Sequence, residues 1–143
     1  MSNKELIKLA LQAREKAYAP YSHWKVGAAL ECKDGTIYMG CNIENSAFSP
    51  TICAERTAIF KAVSDGRFDF KKIAVVGGDE TKGIQGVCTP CGVCRQVMSE
   101  FCDPDEFKVI CAISENEYEE YPLRELIPNV NFISGNEGYG FKG

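Results

Sequence analysis

Between Lys4 and Tyr18, the residues Leu6, Ala10, Ala13 and Ala17 recur at spacings of three and four, which places them on one face of a helix. Ala19-Pro20-Tyr21-Ser22 breaks that period. Val26, Ala28, Leu30 and Cys32 then alternate, as in a half-buried strand. Lys33-Asp34-Gly35 makes a tight turn, and Thr36 to Cys41 returns as the second strand of a hairpin. From Cys53 to Ser64 the period is helical again, with Ala54, Ala58, Ala62 and Val63 turned inward. Ile73-Ala74-Val75-Val76 is an unbroken apolar run, the pattern of a strand covered on both faces. Gly77 to Thr89 is glycine-rich and long for a connection, which marks it as a candidate functional loop. Thr89 followed by Pro90 reads as a helix N-cap and first helical position, and the helix continues to Phe101 with Val93, Val97 and Phe101 on one face. Phe107 to Ile113 is a further strand, Tyr118 to Tyr121 a short edge strand, and Leu123 to Ile127 a helical turn.

The order helix, hairpin, helix, strand, helix, strand predicts an α/β fold. The strand–helix–strand unit favours a parallel pair and the hairpin an antiparallel one. Together they predict a three-layer α/β/α arrangement around a mixed sheet of roughly five strands. No repeat, low-complexity tract or linker interrupts the pattern, so residues 1–143 read as a single domain.

Composition narrows the partners. The chain carries 16 Lys and Arg against 20 Asp and Glu, a formal net charge of -4, with no basic cluster. Proteins that hold long nucleic acid present such a cluster, so no nucleic-acid partner is expected. No apolar stretch approaches the roughly 18 residues of a membrane span. Met1-Ser2-Asn3-Lys4-Glu5 is polar and then amphipathic, unlike a signal peptide, and a soluble, cytoplasmic protein is expected. In that compartment the eight cysteines point to metal binding, catalysis or burial rather than to disulfides. With His23 the only histidine, a zinc site has to rely on thiolates.

Three stretches concentrate the chemistry: Cys41-Asn42-Ile43-Glu44-Asn45, Cys53-Ala54-Glu55 and Pro90-Cys91-Gly92-Val93-Cys94. Cys91 and Cys94 lie three apart at a helix start, so both sulfurs can face one side, and Cys53 opens the earlier helix. Thiolates are favoured at helix N-termini by the dipole and the free N–H groups. Three protein ligands leave one tetrahedral position of Zn²⁺ open for water, the mark of a catalytic site. Three thiolates give the site a net charge of about -1, which weakens the metal as a Lewis acid. Arg56 and Arg95 each follow a ligand and are candidates to offset that charge, Arg56 the better one. Glu55, two residues from Cys53, can reach a metal-bound water without ligating the metal, an arrangement that zinc deaminases use.

Over nearly the whole chain, from about Lys4 to Pro128, the sequence resembles the short homotetrameric cytidine deaminases. The resemblance rests on Tyr18-Ala19-Pro20-Tyr21-Ser22, Val26-Gly27-Ala28-Ala29-Leu30, Gly40-Cys41-Asn42-Ile43-Glu44-Asn45, Cys53-Ala54-Glu55-Arg56-Thr57-Ala58 and Pro90-Cys91-Gly92-Val93-Cys94-Arg95-Gln96-Val97. It implies hydrolytic deamination of cytidine and deoxycytidine in pyrimidine salvage, one Zn²⁺ per chain held by Cys53, Cys91 and Cys94, and a homotetramer. It further implies that Glu55 shuttles protons and binds N3 of the ring, and that Trp24 stacks on the base. Asn42 and Glu44 would bind the ribose, the Ala54 N–H the ring carbonyl, and the Thr89 carbonyl would face the departing amine. Two positions depart from the family pattern: Trp24 stands where Phe is usual and Phe48 where Tyr is usual. Residues 129–143 match poorly, and Phe132 is the nearest candidate for an aromatic residue that reaches a neighbouring subunit's site.

Other readings attach to the same residues. Cys88-Thr89-Pro90-Cys91 is also a C-x-x-C, and a fourth sulfur from Cys88 would close the site and make it structural. Cys32, Cys41, Cys102 and Cys111 read as buried, inert thiols. His23 reads as a loop residue, Glu115 to Glu120 as a solvated face and Gly138 to Gly143 as a mobile tail. The rival functions are a deaminase of blasticidin-like aminonucleosides, a structural zinc module and a thiol-disulfide enzyme using Cys91 and Cys94. Glu55 separates the deaminases from the other two.

Overall fold

In a computed structural model of the chain, which describes residues 1–129, the first helix, α1 (Asn3–Arg14), opens on a capping box. The Ser2 side chain accepts from the Glu5 N–H, and the Glu5 side chain accepts from the Ser2 N–H. α1 ends four residues before Tyr18, the end its apolar period suggested. Glu15, Lys16 and Ala17 donate to Gln12, Ala13 and Arg14, the three-residue spacing of a tighter turn. Arg14 meanwhile reaches the carbonyls of Lys25, Gly78 and Asp79, each at 3.0 Å, and ties the helix end to the sheet.

The five strands are β1 (Trp24–Cys32), β2 (Ile37–Cys41), β3 (Phe70–Asp79), β4 (Lys108–Ser114) and β5 (Glu117–Pro122), in spatial order β2-β1-β3-β4-β5. β1 pairs antiparallel with both β2 and β3, β3 runs parallel to β4, and β5 closes the edge antiparallel to β4. The sheet is mixed and the fold α/β, with the parallel pair at the strand–helix–strand unit. The alternation in β1 suggested one solvated face, yet every residue from Gly27 to Cys32 is buried. β1 is an inner strand covered on both sides, and its small residues accommodate the second cover. A Cβ on Gly27 would stand 2.0 Å from the Ala10 carbonyl oxygen, so α1 packs directly on the strand backbone. Glu31, buried on β1, faces Lys72 on β3 with 3.7 Å between their charged atoms.

Two apolar layers follow. Leu6, Ile7 and Ala10 of α1 cover Ala29, Ala74, Val76 and Ile110. On the other face, α2 (Ala54–Ser64) and α3 (Gly92–Phe101) cover Leu30, Ile73, Val75 and Val109, joined by Phe107 and by Leu123 of the short α4 (Leu123–Leu126). α2 buries Ala54, Ala58 and Ala62 as its period suggested. Of the Val93, Val97 and Phe101 stripe on α3, Val97 and Phe101 are half-buried against the core, while Val93 is 55% exposed and the fully buried residues are Cys94, Met98 and Ser99. The helix is turned so that Cys94 faces α2. β3 is longer than its apolar core, because Gly77-Gly78-Asp79 continues the ladder against Trp24, Lys25 and Val26. The glycine-rich loop therefore begins after Asp79.

The acidic run from Glu115 to Glu120 forms the β4–β5 turn and the exposed β5, where Glu115 meets Lys4 and Lys8 and Glu120 meets Asn3. Among the described residues no helix is long and apolar enough to cross a membrane. Phe132 and Gly138 to Gly143 lie outside the described residues.

Candidate active site

The N-termini of α2 and α3 converge beside the start of β1. Cys53 is the N-cap of α2 and Cys91 the N-cap of α3, both in extended backbone with no side-chain capping bond. The proposed N-cap at Thr89 is thus displaced by two residues. Thr89 and Pro90 lie outside the helix, and this leaves Cys91 just outside the first turn with its sulfur free to face α2. Cys94 lies one turn into α3 and is fully buried.

Cys53 Sγ lies 3.6 Å from Cys91 Sγ, and Cys91 Sγ lies 3.5 Å from Cys94 Sγ. A tetrahedral Zn²⁺ with bonds of about 2.3 Å holds its sulfurs about 3.8 Å apart, so a small expansion of this cluster admits the ion. Among the described residues these three are the group assembled closely enough to hold a metal. Cys88 is not part of it, which removes the sealed four-sulfur alternative. Arg56 donates to Cys53 Sγ at 3.3 Å, while Arg95 is directed away, to the carbonyls of Pro90 (2.7 Å) and Leu126 (2.8 Å). Hydrogen bonds from Cys94, Arg56 and Cys91 hold the Cys53 thiol down at about 5, against its burial. Sharing that proton pushes Cys94 the other way. The donor set is therefore sulfur-only, one member is already held as thiolate beside a guanidinium, and two helix N-termini point at it. Those properties fit Zn²⁺.

Glu55, in the first turn of α2, is 3% exposed. Burial pushes its carboxyl up to about 7, opposed by its own backbone N–H, with the Cys53 thiolate adding to the rise. Glu55, Cys53 and Cys91 open onto one cavity of about 360 Å³, whose walls also include Trp24, Asn42, Glu44, Cys88 and Thr89. Ala54 lies behind Cys53, fully buried, and as the first residue of α2 its N–H has no helical carbonyl to meet. The structure thus gathers Trp24, Asn42, Glu44, Cys53, Glu55, Thr89 and Cys91 around one cavity, with Cys94 and Arg56 against its sulfurs, while Arg95 is directed elsewhere.

It also shows what holds them. The Asn42 amide is spent on β1: its oxygen accepts from the Val26 N–H at 2.9 Å and its nitrogen donates to the Trp24 carbonyl at 2.8 Å. One lone pair and one N–H remain for a ligand. Glu44 accepts from the N–H groups of Tyr21 (3.0 Å) and Ser22 (3.1 Å) and from the Ser22 hydroxyl. The Ser22 hydroxyl, foremost, holds the Glu44 carboxyl below the usual range. In the sequence Tyr21 and Ser22 break the helix pattern and belong to a motif that carries the resemblance, with no site role attached. Their role in holding Glu44 depends on a contact across 22 residues, which no local pattern carries. His23 is an exposed loop residue with φ 60, anchored to Glu80 at 2.8 Å, and turns the chain into β1 at Trp24. Phe48, 70% exposed, meets Tyr21 edge to face beside the cavity mouth. Cys32, Cys102 and Cys111 are buried and Cys41 is half-buried, and burial raises all four thiols.

Comparison with known proteins agrees with this geometry. Residues 1–113 match the family described as the cytidine and deoxycytidylate deaminase zinc-binding region. The chain is 52% identical over 128 residues to a cytidine deaminase of Sporosarcina psychrophila, covering 90% of each chain. It is 49% identical over 128 residues to a cytidine deaminase of Halalkalibacterium halodurans, covering 90% of this chain and 92% of that one. A crystal structure of cytidine deaminase from Burkholderia pseudomallei superposes with a TM-score of 0.83 at 42% identity, covering 92% of this chain and all of that one. With a matching family model over most of its length and relatives near half identical, the chain belongs to the cytidine deaminase family.

Proposed function

We propose that this chain hydrolyses cytidine and deoxycytidine to uridine and deoxyuridine with release of ammonia, a pyrimidine salvage reaction. The observation that carries the reading is a cluster of three sulfurs beside one buried carboxyl, with Cys53, Cys91 and Glu55 opening onto a single cavity. Zn²⁺, held by Cys53, Cys91 and Cys94, supplies when bound a water acidic enough to react at neutral pH. Arg56 stabilises the thiolate of Cys53.

Glu55 takes the proton from the attacking water and delivers it to ring N3, which makes C4 electrophilic. Attack at C4 gives a tetrahedral centre. Glu55 then carries the second water proton to the amine, which leaves as ammonia while the C4–N bond breaks and the C4 carbonyl forms. The Ala54 N–H holds the ring carbonyl, and the Thr89 carbonyl receives the departing amine. Trp24 stacks on the base, and Asn42 and Glu44 use their remaining hydrogen-bonding positions on the ribose, so binding energy away from C4 orients the reacting carbon. A carboxylate pre-ordered by Tyr21 and Ser22 suits a sugar hydroxyl, which favours an ordinary nucleoside over a blasticidin-like one.

The working form is a cytoplasmic homotetramer built from single-domain chains. Tyr18, Tyr21, Ile43, Phe48 and Val93 are exposed apolar side chains that contact between copies would cover, and this exposure supports that reading. Incubation of purified protein with cytidine, following ammonia, tests the function. Ammonia release that a chelator abolishes and added Zn²⁺ restores is the expected result. No release from zinc-loaded protein with cytidine or deoxycytidine contradicts it.

A further inference from the structure

Cys88 lines the cavity, stands apart from the metal cluster and has no part in the proposed chemistry. Its surroundings give it another task. The indole N–H of Trp24 faces the Cys88 sulfur closely enough to favour its anion. Gly77 on β3 sits opposite Val26 in the register, two residues along the strand from Trp24 and on the same face. A Cβ at position 77 would stand 2.8 Å from Cys88 Sγ and 3.2 Å from Trp24 Nε1. The thiol and the indole edge thus occupy the space that a side chain at 77 would need. Three segments distant in sequence meet there: the start of β1, the end of β3 and the loop before α3.

Trp24 needs such a seat. Its ring is 47% exposed, and an aromatic ring at a strand start is free to choose among rotamers unless something holds one edge. An indole N–H turned inward requires an acceptor. Burial keeps the Cys88 thiol neutral, so the acceptor adds no charge beside the thiolates and Glu55.

We propose that Cys88, packed on Gly77, is a positioning residue that fixes the plane of the Trp24 indole against the pyrimidine face and so sets KM rather than the chemical step. The proposal rests on the reading of Trp24 as the base-stacking wall.

Trp24 is the only tryptophan, so its emission reports on the seat independently of activity. Cys88→Val keeps the bulk and removes the acceptor, Cys88→Ser keeps an acceptor, and each is made with Trp24 intact and in a Trp24→Phe background. With Trp24 intact, Cys88→Val shifts the emission and raises KM for cytidine on the order of tenfold, equivalent to about 1.4 kcal/mol, with kcat within about twofold and zinc content unchanged. Cys88→Ser returns emission and KM toward those of the parent. In the Trp24→Phe background Cys88→Val changes KM less than about twofold, because the two residues act as one unit. Unchanged emission in Cys88→Val overturns the proposal, as does an equal rise of KM in both backgrounds, which marks a pocket-shape effect that bypasses the indole. Cytidine or uridine added to the parent protein tests the stacking reading separately. If neither alters Trp24 emission, that reading falls and the proposal with it. If both alter it while Cys88→Val leaves KM unchanged, the proposal alone falls.

Discussion

At the residue scale, the site depends on side chains that hold other side chains. Arg56 is the clearest case, since its guanidinium contacts Cys53 Sγ while Arg95, equally adjacent to a ligand in sequence, is occupied by two carbonyls. Arg56→Ala should therefore weaken zinc binding by roughly 10–100-fold and lower turnover at limiting zinc, the usual scale for groups that support metal ligands. Competition with a chromogenic chelator measures this, and unchanged affinity would contradict the role. Glu44 gives a pH prediction. Its carboxyl titrates below the usual range because the Ser22 hydroxyl, then the Ser22 and Tyr21 N–H groups, favour the anion. In the proposed ribose-binding role, the anion's contribution is present above that lowered pKa and is lost as pH falls through it. In Ser22→Ala the carboxyl moves toward its ordinary value near ~4.3, so the acid-side rise of KM should begin at higher pH than in the parent. KM profiles of the two proteins on the acid side check this, and superimposable profiles would count against it.

At the scale of elements, the position of α2 decides whether Cys53 and Glu55 reach α3 at all. Gly40 on β2 sets that position: a Cβ there would stand 2.5 Å from the Ala54 carbonyl oxygen and 2.5 Å from the Ala58 nitrogen, both backbone atoms that cannot swing aside. Gly40→Ala should displace the first turn of α2, destabilising the protein by roughly 1–3 kcal/mol and also reducing zinc content. Gly27→Ala meets the backbone of α1 at Ala10 and Arg14, on the opposite face of the sheet. It should destabilise by a similar or larger amount while the folded fraction keeps its zinc. Urea unfolding together with metal analysis separates the two. Equal zinc loss in both variants would mean that the site follows overall stability rather than the seat of α2.

At the scale of the whole molecule, the parts of the fold written in short-range periodicity were legible, and the parts that depend on contacts across the sheet were not. The order of elements, the hairpin, the parallel pair and the inward alanines of α2 follow from spacing alone. The double burial of β1 does not, because alternation cannot show that α1 lies on the second face. On α3 the stripe holds at Val97 and Phe101 but not at Val93, because the helix is turned to bury Cys94 and Met98 more deeply, and only the sulfur cluster decides that rotation. The metal ligands and Glu55 were legible because their spacing is local within each segment. The ties that hold Asn42 and Glu44, the exclusion of Cys88 from the metal cluster and its contact with Trp24 join segments far apart, and no pattern in the chain announces them.

In the proposed reaction one carboxyl acts beside one metal. Its most direct test is ammonia release from cytidine by the parent protein and by Glu55→Gln, each first brought to about one zinc per chain. The substitution preserves shape and removes the carboxylate proposed to carry the protons. The account predicts equal zinc content in the two proteins and a loss of turnover of at least ~10²–10⁴-fold in Glu55→Gln. Turnover near the parent rate in a fully zinc-loaded Glu55→Gln protein would contradict it.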